Sequence, residues 1–205
     1  MKKLIFTLFA ASLMLLATEA SAQVSINAGY LNSTFKAQNA DPENSNGMYL
    51  GASFNLPIVG DLAIAPGIYY SAIAAKGTLH FLNLASATGK FYEHAVNVPL
   101  YLNYTFELGR DTNFFLYGGP TAQYGVSSKA KLDMNTVIGD FSEVYDYYKD
   151  GDYNRFDVYL GGGVGFQVRG IMVMVGYDYG MLNQYKDKNH EAHRSNLKIG
   201  VGYAF

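Results

Sequence analysis

From Ile171 to Met181 every second residue is large and apolar. Ile171, Val173, Val175, Tyr177, Tyr179 and Met181 share one face; Met172, Met174, Gly176, Asp178 and Gly180 share the other. Leu197 to Phe205 repeats the pattern, with Leu197, Ile199, Val201, Tyr203 and Phe205 against Asn196, Lys198, Gly200, Gly202 and Ala204. Residues 155–168 and 92–107 do the same, the first opposing Phe156, Val158, Leu160, Val164 and Phe166 to Arg155, Asp157, Tyr159, three glycines and Gln167. Period-two alternation of this length specifies strands with one apolar face.

Eight strands follow, at 24–35, 47–56, 62–75, 92–107, 114–128, 155–168, 171–182 and 195–205. Their connections alternate: 36–46, 76–91, 129–154 and 183–194 are long, whereas 57–61, 108–113 and 169–170 are short. Long loops on one side and tight turns on the other describe an up-and-down, eight-stranded antiparallel transmembrane β-barrel with both termini in the periplasm. Charge placement excludes a water-soluble barrel, which needs charge on its outer face. Within those strands the charges are Glu93, Glu107, Arg155, Asp157, Asp178 and Lys198, and the last four fall on the Gly-rich face. The other face is apolar, as lipid requires. Outward aromatics gather at two levels, Phe54, Tyr104, Phe106, Tyr203 and Phe205 near the turns and Tyr70, Tyr92, Tyr124, Phe156 and Tyr179 near the loops, as in interfacial belts. Pro66, Pro99 and Pro120 fall inside strands, where each predicts a bulge and a change of parity.

Residues 1–22 read as a secretory signal peptide, with Lys2 and Lys3, an apolar run from Leu4 to Ala17, and Ala20-Ser21-Ala22 at the cleavage site. The run is too short for a spanning helix. The barrel domain is then 23–205. Absence of cysteine excludes a disulfide scaffold, a thiol nucleophile and cysteine-ligated metal. A formal net charge of −2 gives no footprint for nucleic acid. The chain is thus expected in the cell outer membrane, among its lipid and lipopolysaccharide.

Several stretches resemble the PorT-like outer-membrane β-barrel family of Bacteroidetes: YEHAVNVPLYLNYTF (92–106), FFLYGGPTAQYG (114–125), 155–183 and RSNLKIGVGYAF (194–205). They cover the last two thirds of the chain in the family's order. Asn97 and Asn103 stand where the family usually has Glu and Lys, so no role of that Glu is carried over. The terminal Phe205 resembles the C-terminal aromatic that outer-membrane assembly machinery recognises. The resemblance implies the fold and a surface protein; members with named roles serve secretion or gliding machinery.

Residues with chemistry are few. His190-Glu191-Ala192-His193 lacks the spacing of the helical zinc motif and reads as a solvated loop. His94, beside Glu93, reads as an interfacial residue; its alternative is a lipid-modifying site of the outer leaflet, which lacks a partner Ser at a suitable spacing. Gly161-Gly162-Gly163 has no following helix and reads as close packing rather than a phosphate loop. Arg155, Asp157, Asp178 and Lys198 share parity on consecutive strands, which predicts a structural ion-pair network filling the lumen, the alternative being a polar solute path. The longest loop, 129–154, is acidic and carries Phe141, Tyr145, Tyr147, Tyr148 and Tyr153. It reads either as an outward hairpin continuing the wall strands or as a recognition loop for an extracellular or envelope partner, since Tyr docks at low entropic cost. The expected function is structural or surface-binding, with no enzymatic activity and no cofactor. The alternatives are an outer-leaflet lipid-modifying enzyme and an accessory component of a secretion system.

Overall fold

The computed structural model describes residues 23–38, 40–81, 85–136, 139–149, 153–186 and 191–205, with side chains at 78–81, 85–87, 134–136 and 139–141 left aside. The leader 1–22 and His190 lie outside the described residues. Nine antiparallel strands are present among them: β1 (Gln23–Ala37), β2 (Glu43–Val59), β3 (Leu62–Phe81), β4 (Ala85–Gly109), β5 (Thr112–Thr136), β6 (Gly139–Asp146), β7 (Phe156–Val168), β8 (Ile171–Gly180) and β9 (Ala192–Ala204). Each of β1, β2, β3, β4, β7, β8 and β9 pairs with two neighbours and β5 with three, and following the pairings from β1 through β4–β5 leads back through β9 to β1. β6 pairs only with β5 in the sheet order.

The ninth strand adds to the eight expected and realises the outward-hairpin reading of 129–154. Two of the expected long loops are mostly strand. Residues 76–91 continue the β3–β4 hairpin, from Lys76↔Lys90 to Phe81↔Ala85. β5 runs on past the ring and β6 folds back on it, from Lys129↔Asp146 to Thr136↔Gly139. Beyond the hydrocarbon level both faces of such a ribbon meet polar surroundings, so the apolar alternation that marks a strand disappears.

The prolines also behave differently from expectation. Register runs unshifted past Pro66, Pro99 and Pro120, where only local ladder pairs are missing. A ladder can skip a missing N–H without adding a residue. The bulge that matters lies between His94↔Ser127 and Ala95↔Gly125, with Val126 as the extra residue. It inverts parity along the upper part of β5. Ser128 therefore turns inward. The tight β7–β8 turn needs positive φ at both positions, 48° at Arg169 and 85° at Gly170, which suits a two-residue hairpin loop.

The wall is inside-out relative to a soluble protein. Leu100, Leu102, Val164, Val173 and Val201 are exposed on its outer face, whereas Asn27, Ser71, Gln123, Asp157, Asp178 and Asn196 are buried inside. Glycines on the inner face make room for rings from neighbouring strands. Phe115 lies over Gly165 and Tyr117 over Gly163 and Gly176, so close that an added Cβ would collide with the ring. The Gly-rich run in β7 is thus a packing surface for aromatic side chains.

Candidate functional site

Two cavities lie inside the ring, one above the other. The lower, about 260 Å³, is lined by Ser, Asn and Tyr side chains together with Phe115, Met172 and Met174. The upper, about 120 Å³, is walled by Phe35, Phe91, Tyr147, Tyr148 and Tyr153. Ser33, Glu93 and Arg194 line both, so they form the neck between them.

Glu93 and Arg194 form an ion pair at this neck, with side chains only 6 % and 8 % exposed. Ser128 donates to Glu93 at 3.5 Å. The Arg194 guanidinium also lies 5.8 Å from the Phe35 ring centre. The sequence boundaries leave Arg194 at the end of the loop 183–194 and so do not place it opposite Glu93. The signal was present: Arg194, Asn196 and Lys198 share parity in β9.

The four residues expected to form one network are distributed over three settings. Lys198 pairs with Asp178 beside the lower cavity. Tyr101 braces that pair: Lys198 donates to its hydroxyl at 3.3 Å, and Thr121 does so at 3.0 Å. Asp157 is held by donors instead, accepting from the amides of Val158 at 2.7 Å and Leu182 at 3.1 Å and from Gln184 Nε2 at 2.6 Å. Arg155 stacks 5.0 Å from the Tyr148 ring centre and donates to the Tyr148 carbonyl at 3.5 Å. The strands bring the residues to the interior, but individual partners follow from height along the barrel, which parity does not encode.

The tyrosines of the long loop gather over the mouth. Tyr148 is buried against Gly125, where any Cβ would meet its ring. Tyr147 packs on Tyr145 at 5.0 Å, on Tyr153 at 4.8 Å and on Phe91 at 6.0 Å. Tyr153 stacks on Tyr185 at 5.1 Å, and both meet Phe35 edge-on at 5.9 and 6.0 Å. A backbone bridge Tyr153↔Tyr185 fixes the two loops to each other. Burial pushes the Tyr148 and Tyr153 hydroxyls well above the usual phenol range, helped by Glu93 near the first and by a hydrogen bond with Tyr185 at the second. These rings are therefore neutral hydrogen-bonding and stacking surfaces. The Phe141 side chain lies outside the described residues.

Histidines sit on the outer wall. His94 Nδ1 is 2.7 Å from the Tyr70 hydroxyl, with the rings stacked at 5.9 Å. His193 stacks on Tyr179 at 5.8 Å, and its Nδ1 lies 3.1 Å from the Gly180 carbonyl. Among the described residues no group of three metal-ligating side chains comes together. Phe205 is exposed beside Tyr203, and its amide donates to Val24 at 2.9 Å.

An apolar outside, a polar inside and an antiparallel sheet with long outward hairpins define the outer-membrane β-barrel class of protein. The sequence pattern of the family described as outer membrane protein beta-barrel domain matches residues 17–186, and the chain belongs to that family. Its location is the outer membrane typical of the fold. No curated protein matches the chain in sequence. Among solved structures, the Yersinia pestis attachment invasion locus protein Ail, crystallised with the heparin analogue sucrose octasulfate, is 16 % identical; 90 % of this chain covers 99 % of that one with a TM-score of 0.51. Neisserial surface protein A is 13 % identical over 89 % of this chain and 97 % of its own, with a TM-score of 0.47. At these identities the likeness is one of fold.

Proposed function

We propose that the ring is a closed, eight-stranded barrel spanning the outer membrane, and that it works as a structural or surface-binding protein without catalysis. In this reading residues 1–22 are removed on export, the 60–61, 110–111 and 169–170 turns face the periplasm, and the β3–β4 and β5–β6 arms face outward. Assembly machinery engages the terminal Phe205. The PorT-like character of 92–106, 114–125, 155–183 and 194–205 supports a place in that branch of the family.

The observation that carries the reading is the aromatic cap. Tyr145, Tyr147, Tyr148 and Tyr153 contact one another, partner rings or Arg155 across the mouth, above a buried ion pair. An interior braced in this way serves as a support for the loops rather than as a route for solutes. Binding then falls to the exposed arms and to the outer edge of the cap. A protein or glycan partner fits, since Tyr-rich surfaces pair a flat apolar ring with a hydrogen-bonding tip.

The native chain has no cysteine, so single-cysteine labelling reads topology directly. Cysteine at Ser142 should react with an impermeant maleimide on intact cells, whereas cysteine at Gly60 should react only after the outer membrane is opened. Labelling of Gly60→Cys on intact cells would overturn the orientation. Cross-linking of intact cells with an externally added amine-reactive reagent should capture a partner that is lost when 138–150 is replaced by a short Gly-Ser linker; unchanged capture would move the binding surface elsewhere.

A further inference from the structure

The outer wall of β3, β4 and β5 carries an arrangement that barrel formation does not require. Lys76, Lys90 and Lys131 stand directly opposite one another across three adjacent strands, in the register Lys76↔Lys90 and Lys90↔Lys131. Lys129 lies one row lower, opposite Tyr92. All four point outward. Tyr92, two residues from Lys90, is exposed on the outer face, and the Val126 bulge sets Lys129 and Lys131 on that same face.

Like charges directly opposite across strands repel, at a strand spacing of roughly 4.8 Å. One carboxylate answers part of this. Asp133 accepts from Lys131 at 2.9 Å and from Lys90 at 3.2 Å. Asp146 stands opposite Lys129 in the β5–β6 arm. The patch remains cationic by two charges. The local field is visible at Asp133, whose carboxyl is held down at about 2 by bonds from Lys131, Ser142 and Lys90.

Its height is informative. Immediately below lie Tyr92 and the Tyr70–His94 pair, the aromatic belt that marks a hydrocarbon–headgroup boundary. Lys90 is two residues above Tyr92, about 7 Å along the strand. That is the layer in which lipid phosphates sit. The patch also faces sideways, along the membrane plane, and not up toward the cap.

We propose that Lys76, Lys90, Lys129 and Lys131 form a binding surface for the phosphate groups of an anionic lipid in the leaflet surrounding the outward end of the barrel. The phosphate oxygens take the ammonium donors that one Asp133 carboxylate cannot fill, and the acyl chains lie along the apolar wall below. The proposal rests on the membrane embedding argued above.

Native mass spectrometry of the detergent-solubilised full chain tests it, with equimolar diphosphorylated and dephosphorylated lipid A as probes. The wild type should retain the diphosphorylated form preferentially. The Lys76→Gln/Lys90→Gln/Lys131→Gln variant should lose the preference by roughly a hundredfold, the factor for the three charges removed at ~1 kcal/mol each. Lys36→Gln, on the outer edge of β1, should leave it unchanged. Each single Lys→Gln variant should show a smaller loss, which keeps the test available if the triple variant does not fold. Equal retention of both lipids by the wild type, or an unchanged preference in the triple variant, would overturn the proposal while leaving the embedding intact. Displacement of lipid A by inorganic phosphate at constant ionic strength would overturn the assignment to a lipid. Retention of neither lipid would overturn it too, and the cysteine-labelling pattern would then show whether the embedding had failed with it.

Discussion

The two interior ion pairs differ in their surroundings more than in their chemistry. Glu93–Arg194 lies at the neck between the two cavities, under aromatic rings, with 6 % and 8 % of its side chains exposed. Lys198–Asp178 borders the larger cavity, where Lys198 keeps 21 % of its side chain exposed and Tyr101 shares the load. The first is closed in by packing and the second is braced by hydroxyls. If its mate is removed, Glu93 keeps only the long contact from Ser128 at 3.5 Å, whereas Asp178 keeps Tyr101 and the larger cavity beside it. The barrel therefore carries its tightest electrostatic coupling where the loops attach to the wall.

The largest expected effect is at the neck. Arg194→Met should destabilise the barrel by about 3–5 kcal/mol in urea unfolding from bilayers, because it strands the buried Glu93 carboxylate without its counter-charge. Removing both charges, with Glu93→Leu added, should recover most of that loss. If the double variant were no better than the single one, the cost would come from packing of the guanidinium on Phe35 instead of from charge. Lys198→Met should cost less, about 1–3 kcal/mol, since Tyr101 and water still solvate Asp178. Equal losses at Lys198 and Arg194 would erase the distinction between the two pairs.

The smallest effect is in the β5–β6 arm, outside the wall. Asp133 titrates near 2 in the folded arm, below the ordinary 3.8 of a free carboxyl. A depressed carboxyl stabilises the arm fully above about 3.8, and that contribution disappears as pH falls through about 2. Pepsin should therefore cut the arm of Asp133→Asn faster than that of the wild type at pH 4, and the two rates should converge near pH 2. A constant ratio across this range would show that Asp133 does not hold the arm.

The wall was legible from period two alone, because lipid outside and polar packing inside impose opposite chemistry on successive residues. Leu197 to Ala204 alternates without a fault. The β5–β6 arm was legible as one of the two readings of 129–154, whereas the β3–β4 arm over 76–91 was not, since its residues alternate with others that also face water. The neck pair was missed for a related reason: Arg194 looks like a loop residue until β9 is extended by three positions to Ala192. Pro66, Pro99 and Pro120 suggested shifts of parity that do not occur, while the shift that does occur, at Val126, is marked only by the neighbouring Gly125. The convergence of Phe35, Phe91, Tyr147, Tyr153 and Tyr185 is a long-range event with no local pattern at all.

A mouth capped by these rings above the Glu93–Arg194 neck should block the passage of ions through a membrane-spanning barrel. Planar-bilayer recording of the purified wild type tests it most directly. No stable large conductance is expected from the wild type, and Tyr148→Ala combined with Arg194→Ala should introduce steady openings by removing the cap and the neck together. A stable porin-sized current through the wild-type barrel would contradict the capped interior.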